Sequence, residues 1–326
     1  MKTMKLKLFA IIALVTFGMT SCNDDDEGIV LIEDNSITTI ASRNSNLSTL
    51  VAALNRADLA NTLQSSGPFT VFAPTNQAFA NFLATTPYAS INDVPVPVLK
   101  EILLNHVVNG AARSTDLTNN MYLKTLAKGT ASATNTLSMH VNTTSGVKLN
   151  GVSNVITTTP GSTFNIIATN GVIHVVDAVI GLPTIVTHAT ANPNFTSLVG
   201  ALTGAGQPDF VGILSGTGPF TVFAPTNAAF TSLDAELAPS GGIAGVTTAN
   251  LTKVLQYHVA NGNVLSTSLT NNQVVATLQT PQSFTINLSP ARITDVNSRV
   301  SNIVATDVQC ANGVIHVLDK VLLPTF

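Results

Sequence analysis

Apolar residues at helical spacing open two stretches of this chain, and each stretch continues with the same series of elements. The spacing i, i+3, i+4 and i+7 predicts an amphipathic helix at the start of each stretch. A run rich in Phe and Val follows, from Pro68 to Ala73 and from Pro219 to Ala224, and predicts a strand that is buried on both faces and ended by a proline. The helical positions are Leu47, Leu50, Val51 and Leu54, then Phe195, Leu198, Val199 and Leu202.

Two further helices are predicted after each strand. Thr75-Asn76 and Thr226-Asn227 suit the N-cap of the first of them. The second carries an apolar stripe that ends in a histidine, and a glycine shortly after it suggests a left-handed C-terminal cap. These histidines and glycines are His106 with Gly110, and His258 with Gly262.

The later part of each stretch alternates polar and apolar residues, which predicts antiparallel strands. Asn170-Gly171 and Asn312-Gly313 are typical of type I′ hairpin turns. Because helices come first and strands dominate later, the pattern predicts an α+β fold in which a sheet packs against helices.

The two stretches are copies of each other. The string Gly-Pro-Phe-Thr-Val-Phe-Ala-Pro-Thr-Asn begins at Gly67 and again at Gly218. The second copy is shorter between Leu278 and Asn312, where we expect a loop or hairpin. We therefore predict two domains, residues 36–183 and 184–326, each with its own core and each able to fold alone.

The N-terminus resembles an export signal. Three lysines precede an apolar run, Leu8 to Met19, that is too short to span a bilayer, so residues 1–21 are predicted to be a signal peptide. Met19-Thr20-Ser21-Cys22 resembles a bacterial lipobox, which predicts lipidation of Cys22 and a lipid anchor in the membrane. Ordinary secretion with cleavage near Ser21 is the alternative.

Residues 22–35 are predicted to be an acidic tether, because Asn23 to Glu27 holds the densest charge in the chain. No EF-hand spacing surrounds this cluster, so calcium binding is not expected. The cluster resembles the acidic export tag of surface lipoproteins in Bacteroidetes-type bacteria. That resemblance implies a lipid-anchored protein of the cell envelope, exposed on the outer membrane surface.

Composition argues against several classes of function. The net charge is −3 with 14 Lys plus Arg, so no basic stripe is available and nucleic acid is not an expected partner. Apart from Cys22 the only cysteine is Cys310, so no disulfide is expected within a monomer. Each domain must therefore depend on its apolar core.

Neither a metal site, a cofactor site nor a catalytic centre is predicted. The chain has no CxxC, HxH or HExxH spacing and no Gly-x-Ser-x-Gly motif. Cys310 lacks a nearby cation in the sequence, so a buried, unreactive thiol is expected. Four histidines are expected to be buried and hydrogen-bonded, namely His106, His174, His258 and His316.

Three ordered motifs together identify a family. The string Thr-Val-Phe-Ala-Pro-Thr-Asn-x-Ala-Phe, a Tyr-His pair ending the third helix and a terminal Asn-Gly-Val-Ile-His-Val-x-Asp resemble the fasciclin-like domain. The resemblance covers Ile37 to Pro183 and Ile185 to Pro324. It implies two tandem domains, each a wedge-like antiparallel β-sandwich with a helical layer, and a non-enzymatic role in adhesion or matrix binding.

The resemblance also implies candidate partner-binding residues. In animal fasciclin-like domains, an Asp-Ile pair before the Asn-Gly turn and the Tyr-His motif are linked to receptor binding. The second copy has Asp307-Val308 and Tyr257-His258 at these positions, whereas the first has Asn165-Ile166 and Asn105-His106. Partner contact is therefore expected in the second copy. The alternative is structural, with Asp307 capping a strand end and Tyr257 in the core.

The sequence thus predicts a surface lipoprotein that adheres to an extracellular protein or polysaccharide through fasciclin-like domains. A passive envelope or biofilm spacer is one alternative. A carbohydrate-binding module is another, although stacking platforms are scarce because Trp is absent and Tyr numbers 3. A polymer-acting hydrolase with hidden site residues is less favoured.

Overall fold

Each repeat folds in the order predicted from its pattern, with one central strand among the helices and the other strands after them. The computed structural model describes residues 34–156 and 165–326. The predicted signal peptide, Cys22 and the acidic cluster at 23–27 lie outside these described residues. The helices of the first repeat are α1 (Ile37–Arg43), α2 (Ser48–Arg56), α3 (Ala60–Gln64), α4 (Asn76–Ala84) and α5 (Val96–Leu104), and those of the second are α6 (Ile185–Ala191), α7 (Thr196–Leu202), α8 (Phe210–Ser215), α9 (Asn227–Leu237) and α10 (Thr248–Tyr257).

The described strands of the first repeat form one curled sheet. They are β1 (Phe69–Pro74), β2 (Val107–Asn109), β3 (Tyr122–Gly129), β4 (Ser132–Asn142), β5 (Lys148–Leu149), β6 (Ser153–Asn154), β7 (Ile166–Ala168) and β8 (Gly171–Val176). Their order across the sheet is β6-β5-β4-β3-β2-β1-β8-β7.

The second repeat builds the corresponding sheet from seven strands. They are β9 (Phe220–Pro225), β10 (Val259–Asn261), β11 (Gln273–Ala276), β12 (Ser283–Asn287), β13 (Arg292–Thr294), β14 (Val300–Cys310) and β15 (Gly313–Leu318), in the order β10-β9-β15-β14-β13-β12-β11. The hairpin β11–β12 is shorter than its counterpart β3–β4, so part of the predicted length difference lies in this hairpin.

The strand predicted to be buried on both faces is central in each sheet. β1 pairs with β2 antiparallel and with β8 parallel, so the sheet is mixed rather than purely antiparallel. On one face of β1, Val71 packs in the core beneath the helices. On the other face, Phe72 packs in a second core inside the curled sheet. β9 repeats this arrangement with Val222 and Phe223, and the α+β prediction is confirmed.

The predicted hairpin turns exist, but the predicted turn type is wrong. Ala168 pairs with Gly171, so Thr169 and Asn170 form the loop and the glycine is already the first residue of β8. Neither loop residue has a positive φ, as a type I′ turn would require. Gly171 has a φ of 153°, and a Cβ there would lie 1.9 Å from the carbonyl oxygen of Phe69. The close approach of β1 therefore explains this glycine.

The predicted helix C-caps at two glycines are also wrong, although both glycines are left-handed. Gly110 has a φ of 93° and follows β2, which separates it from α5. Its N–H donates to the carbonyl of Pro68 over 2.8 Å. Gly262 has a φ of 96° and makes the same contact with Pro219 over 2.9 Å. Each glycine therefore turns the chain beside the central strand.

The predicted N-caps are confirmed at the threonines. The Oγ1 atom of Thr75 accepts from the N–H of Ala78 over 3.1 Å, and Thr226 does the same for Ala229 over 3.3 Å. The asparagine that follows Thr75 makes a longer-range contact. Its Oδ1 accepts from the N–H of Thr49 over 2.9 Å, so Asn76 connects the start of α4 to the start of α2.

A buried asparagine connects the helices to the sheet in each repeat. The Oδ1 atom of Asn312 accepts from the N–H of Ile185, the first residue of α6, over 3.0 Å. Its Nδ2 donates to the carbonyls of Leu214 and Gly216, at the end of α8, over 2.7 and 2.9 Å. Asn170 makes the matching contacts in the first repeat. One side chain thus bonds to three backbone groups in each repeat.

Asn312→Asp should lower the stability of the second repeat by about 2 to 4 kcal/mol. The carboxylate cannot donate to the two carbonyls, and that of Leu214 then lies buried without this partner. Urea unfolding of the full chain measures this change. Asn261→Asp, at an exposed position of β10, is the control and should leave the midpoint within error. An equally small effect at Asn312 would contradict the role assigned to its side chain.

Candidate functional site

Three of the four residues suggested for partner binding lie in the interior. Tyr257 has no exposed surface, and Val308 and His258 are 3% exposed. The Tyr257 hydroxyl donates to the carbonyl of Ser283 over 2.7 Å, and burial raises its pKa to about 12. In the first repeat the matching residue, Asn105, is equally buried and donates to the carbonyl of Gly181 over 2.9 Å. This burial favours a structural role for the Tyr-His motif.

His106 and His258, which follow α5 and α10, hydrogen-bond to the backbone, as the sequence suggested. His258 Nδ1 lies 2.7 Å from the carbonyl oxygen of Val254, and its Nε2 accepts from the N–H of Leu322 over 3.0 Å. These contacts require the neutral ring with the proton on Nδ1. Burial lowers the pKa of His258 to about 4, with the Val254 hydrogen bond opposing the shift. His106 makes the same pair of contacts in the first repeat.

The mid-strand histidines are also matched between repeats. His174 Nε2 lies 2.9 Å from the carbonyl oxygen of Ala112, and His316 Nε2 lies 2.9 Å from that of Val264. Each ring also stacks on the phenylalanine of the central strand, Phe72 or Phe223, at 5.4 Å. All four of these histidines are therefore part of the domain framework.

Asp307 is the partly exposed member of the candidate set. It has a φ of 59°, a left-handed conformation that Asp and Asn tolerate. Its Oδ1 accepts from the N–H of Ser266 over 2.8 Å, and its Oδ2 accepts from the hydroxyl of the same serine. Asn165 makes the matching pair of bonds to Ser114 in the first repeat. Whether the four residues contact a partner stays a prediction.

An interface between the repeats is a polar feature that sequence reasoning missed. On β4, Leu137, Met139 and Val141 point into the first repeat, and Ser138 and His140 lie on the outer face. These two polar residues have no exposed surface. The second repeat covers them with β14 and α6, and we call this contact the repeat interface.

Hydrogen bonds from the β3–β4 hairpin to β14 and its following turn define the repeat interface. The Lys124 ammonium donates to the carbonyl of Asp307 over 2.7 Å. Gln309 donates its N–H to the Ser138 hydroxyl over 3.0 Å. At the hairpin tip, Ala131 donates its N–H to the carbonyl of Ala311 over 2.8 Å. All three bonds use backbone groups of the second repeat. They therefore depend on the path of its backbone more than on the identity of its side chains.

Two histidines from opposite repeats flank one tyrosine at the repeat interface. The Tyr122 ring lies 5.2 Å from the ring of His140 and 5.5 Å from that of His188, measured between centroids. Its hydroxyl accepts from Asn192 Nδ2 over 3.0 Å. Within the described part of the chain, no ring nitrogen of His140 or His188 has a hydrogen-bond partner.

Burial determines the protonation states of the histidines beside Tyr122. It lowers the pKa of His140 to about 4. It lowers the pKa of His188 to about 3, helped by His140 and Lys124 and opposed by the nearby Ser138 backbone. Burial also lowers the pKa of Lys124, which Asp307 partly offsets. The histidines are therefore neutral at the interface at ordinary pH.

The sequence contained a signal that His140 and His188 differ in role from the other histidines. The other four histidines occur as matched pairs in the two copies, whereas His140 and His188 correspond to Thr285 and Ile40. A polar residue that only one copy carries at a buried position points to a contact outside the shared framework. Cys310 also lies at this interface, and burial raises the pKa of its thiol, so it is a poor nucleophile.

The described residues contain no group of three or more His, Cys, Asp or Glu side chains that could hold a metal ion. They also contain no helix with the length and apolar character needed to cross a membrane.

Asp307→Asn should leave the stability of the protein nearly unchanged, because Asn165 already makes the matching contacts with Ser114. Asp307→Ala should lower it by about 2 to 3 kcal/mol, because both bonds to Ser266 are lost and alanine is strained at this φ. Thermal unfolding of the two variants measures the difference. Equal melting temperatures for both variants would contradict the assigned contact with Ser266.

Comparison with known proteins agrees with this architecture. A family model of the fasciclin domain matches residues 45–183 and 193–324. Human periostin is 30% identical over 267 residues, which cover 80% of this chain and 29% of periostin. Protein sll1483 of Synechocystis sp. is 34% identical over 145 residues, which cover 43% of this chain and 73% of that protein.

A solved structure shows the same pair of domains. The FAS1 domain pair from the insect cell adhesion molecule fasciclin I matches 86% of this chain and 98% of that chain with a TM-score of 0.52. At 18% identity this match shows the shared fold. Because the family model covers both repeats, the chain belongs to the fasciclin domain family.

Proposed function

We propose that this protein is a non-enzymatic, lipid-anchored adhesion protein of the cell surface, which binds an extracellular protein or polysaccharide. The observation that carries the proposal is the tandem pair of fasciclin domains, which has the fold of the pair in an insect cell adhesion molecule. Residues 36–183 and 184–326 are proposed as the two binding domains, and residues 22–35 as the tether between the lipid and the first domain.

The second repeat is the proposed site of partner contact. Asp307 is its partly exposed candidate, whereas the buried Val308, Tyr257 and His258 would support the fold of the second repeat rather than touch the partner directly. The interactions with Ser266 fix the carboxylate in one orientation, which lowers the entropy lost on binding. A passive envelope spacer remains the rival function, because it requires the same fold and no partner.

Binding of the full chain to immobilised matrix proteins and glycans tests the proposal. We expect saturable binding that Asp307→Asn weakens by about 10-fold or more, the loss expected for a hydrogen bond to a charged group. Asn165→Asp is the matched control in the first repeat and should bind normally. No saturable binding to any matrix protein or glycan would favour the spacer. Normal binding by Asp307→Asn would exclude Asp307 from the contact.

Lipidation of Cys22 is the second part of the proposal. It is supported by the basic start, the short apolar run and the small residues before this cysteine. Cys22→Ala should release the protein from the membrane fraction into the medium or periplasm, and mass spectrometry of the wild-type N-terminus should show acyl chains on Cys22. An unmodified N-terminus at another residue would contradict the anchor and leave the adhesion test unaffected.

A further inference from the structure

The repeat interface buries two histidines in their neutral form, and this arrangement becomes less stable as the pH falls. His140 lies on β4 of the first repeat, and His188 lies on α6 of the second. Both have no exposed surface, and neither ring has a hydrogen-bond partner among the described residues. A protonated imidazole has two N–H donors and a full charge. The nearby Ser138 backbone only partly opposes the fall in the pKa of His188, so burial here would leave the charges largely uncompensated.

The surroundings offer little to stabilise such a charge. The titratable groups next to the two rings are Tyr122 and Lys124 from β3. Asp307 and Cys310 from β14 lie near Lys124, and Cys310 also lies near Tyr122. Lys124 adds a positive charge. The carboxylate of Asp307 is already bonded to Ser266. Protonation of both histidines would thus place three positive charges at one buried contact.

We propose that the repeat interface is an acid-sensitive joint, which holds the two repeats together at neutral pH and releases them when His140 and His188 are protonated. Separation of the repeats would expose both rings to water and leave each domain folded. The joint should open before the domains unfold, because the matched histidines such as His106 and His258 keep their backbone partners until a whole domain unfolds. The proposal does not depend on the adhesion function.

The direction and size of the effect follow from proton linkage. Both pKa values are lower in the closed state than in the open one, so closure is fully favoured above about pH 6.5 and is lost as the pH falls toward 4. At pH 5, each histidine should shift the equilibrium toward the open state by about 30-fold, and the pair by about 10³-fold.

Hydrogen exchange of the full chain with Cys22→Ala tests this proposal. The amides of Ala131 and Gln309 donate across the repeat interface and report on its opening. The amides of Phe72 and Phe223 donate within their own repeats and report on domain unfolding. Between pH 7.5 and pH 5, protection of the first pair should fall by about 10³-fold after correction for intrinsic exchange. Protection of the second pair should fall much less, by about 30-fold for a domain histidine such as His106 or His258, whose pKa is also lowered to about 4.

Substitutions taken from the matched positions provide the control. His140→Thr and His188→Ile place in each repeat the residue that the other repeat carries, and the double variant should lose the pH dependence. In each single variant, protection of the interface amides should still fall by about 30-fold between pH 7.5 and pH 5. Wild-type interface amides that stay protected at pH 5 would overturn the proposal, as would a double variant with wild-type pH dependence. If the double variant does not fold, a single variant with the full 10³-fold effect would overturn it.

Discussion

One buried asparagine side chain in each repeat determines how the helices meet the sheet. Asn312 accepts a hydrogen bond from the start of α6 and donates two to the end of α8. The next residue, Gly313, allows β15 to run close beside β9, since a Cβ there would lie 2.1 Å from the carbonyl oxygen of Phe220. One face of the central strand packs in each of the two cores of the domain. The fold therefore depends on the contacts of Asn312 and Gly313, which hold the helices and β15 beside this strand.

The duplication separates structural residues from those with another role. The matched histidines bond to backbone in both copies, and Asp307 has its structural counterpart in Asn165. His140 and His188 have no histidine at the matching position of the other repeat, and both lie where one repeat packs on the other. Because both copies must build the same domain, a polar residue that they share is explained by the domain. A buried polar residue present in only one copy requires a contact particular to that copy.

The sequence predicted much of each domain and little of the contact between them. The helical spacing at Leu50 and Leu54 and the apolar run of β1 depend on local pattern, which fixes the burial of a helix face or a strand. The parallel pairing of β1 with β8 depends on residues far apart in the chain, and no local pattern indicates it. In the sequence, Gly171 suggested a hairpin turn. In the structure it allows β8 to lie close to β1, and glycine suits either situation.

The candidate site was predictable only in part. Family motifs identified Tyr257 and Asp307, but they did not show that Tyr257 is buried or that the Asp307 carboxylate is bonded to Ser266. The repeat interface escaped prediction because the outer face of β4 resembles an ordinary half-exposed strand until the second repeat is placed against it. Polar residues such as Ser138 and His140 suit either water or a polar interface, so their identity alone does not decide their burial.

The central claim is that the chain consists of two complete fasciclin domains joined by a polar interface. Urea unfolding of residues 36–183 and 184–326 as separate proteins tests it most directly. Since each repeat has its own two cores, the account predicts one cooperative transition for each separate repeat. A repeat that shows no cooperative transition alone, while the tandem chain does, would contradict the claim.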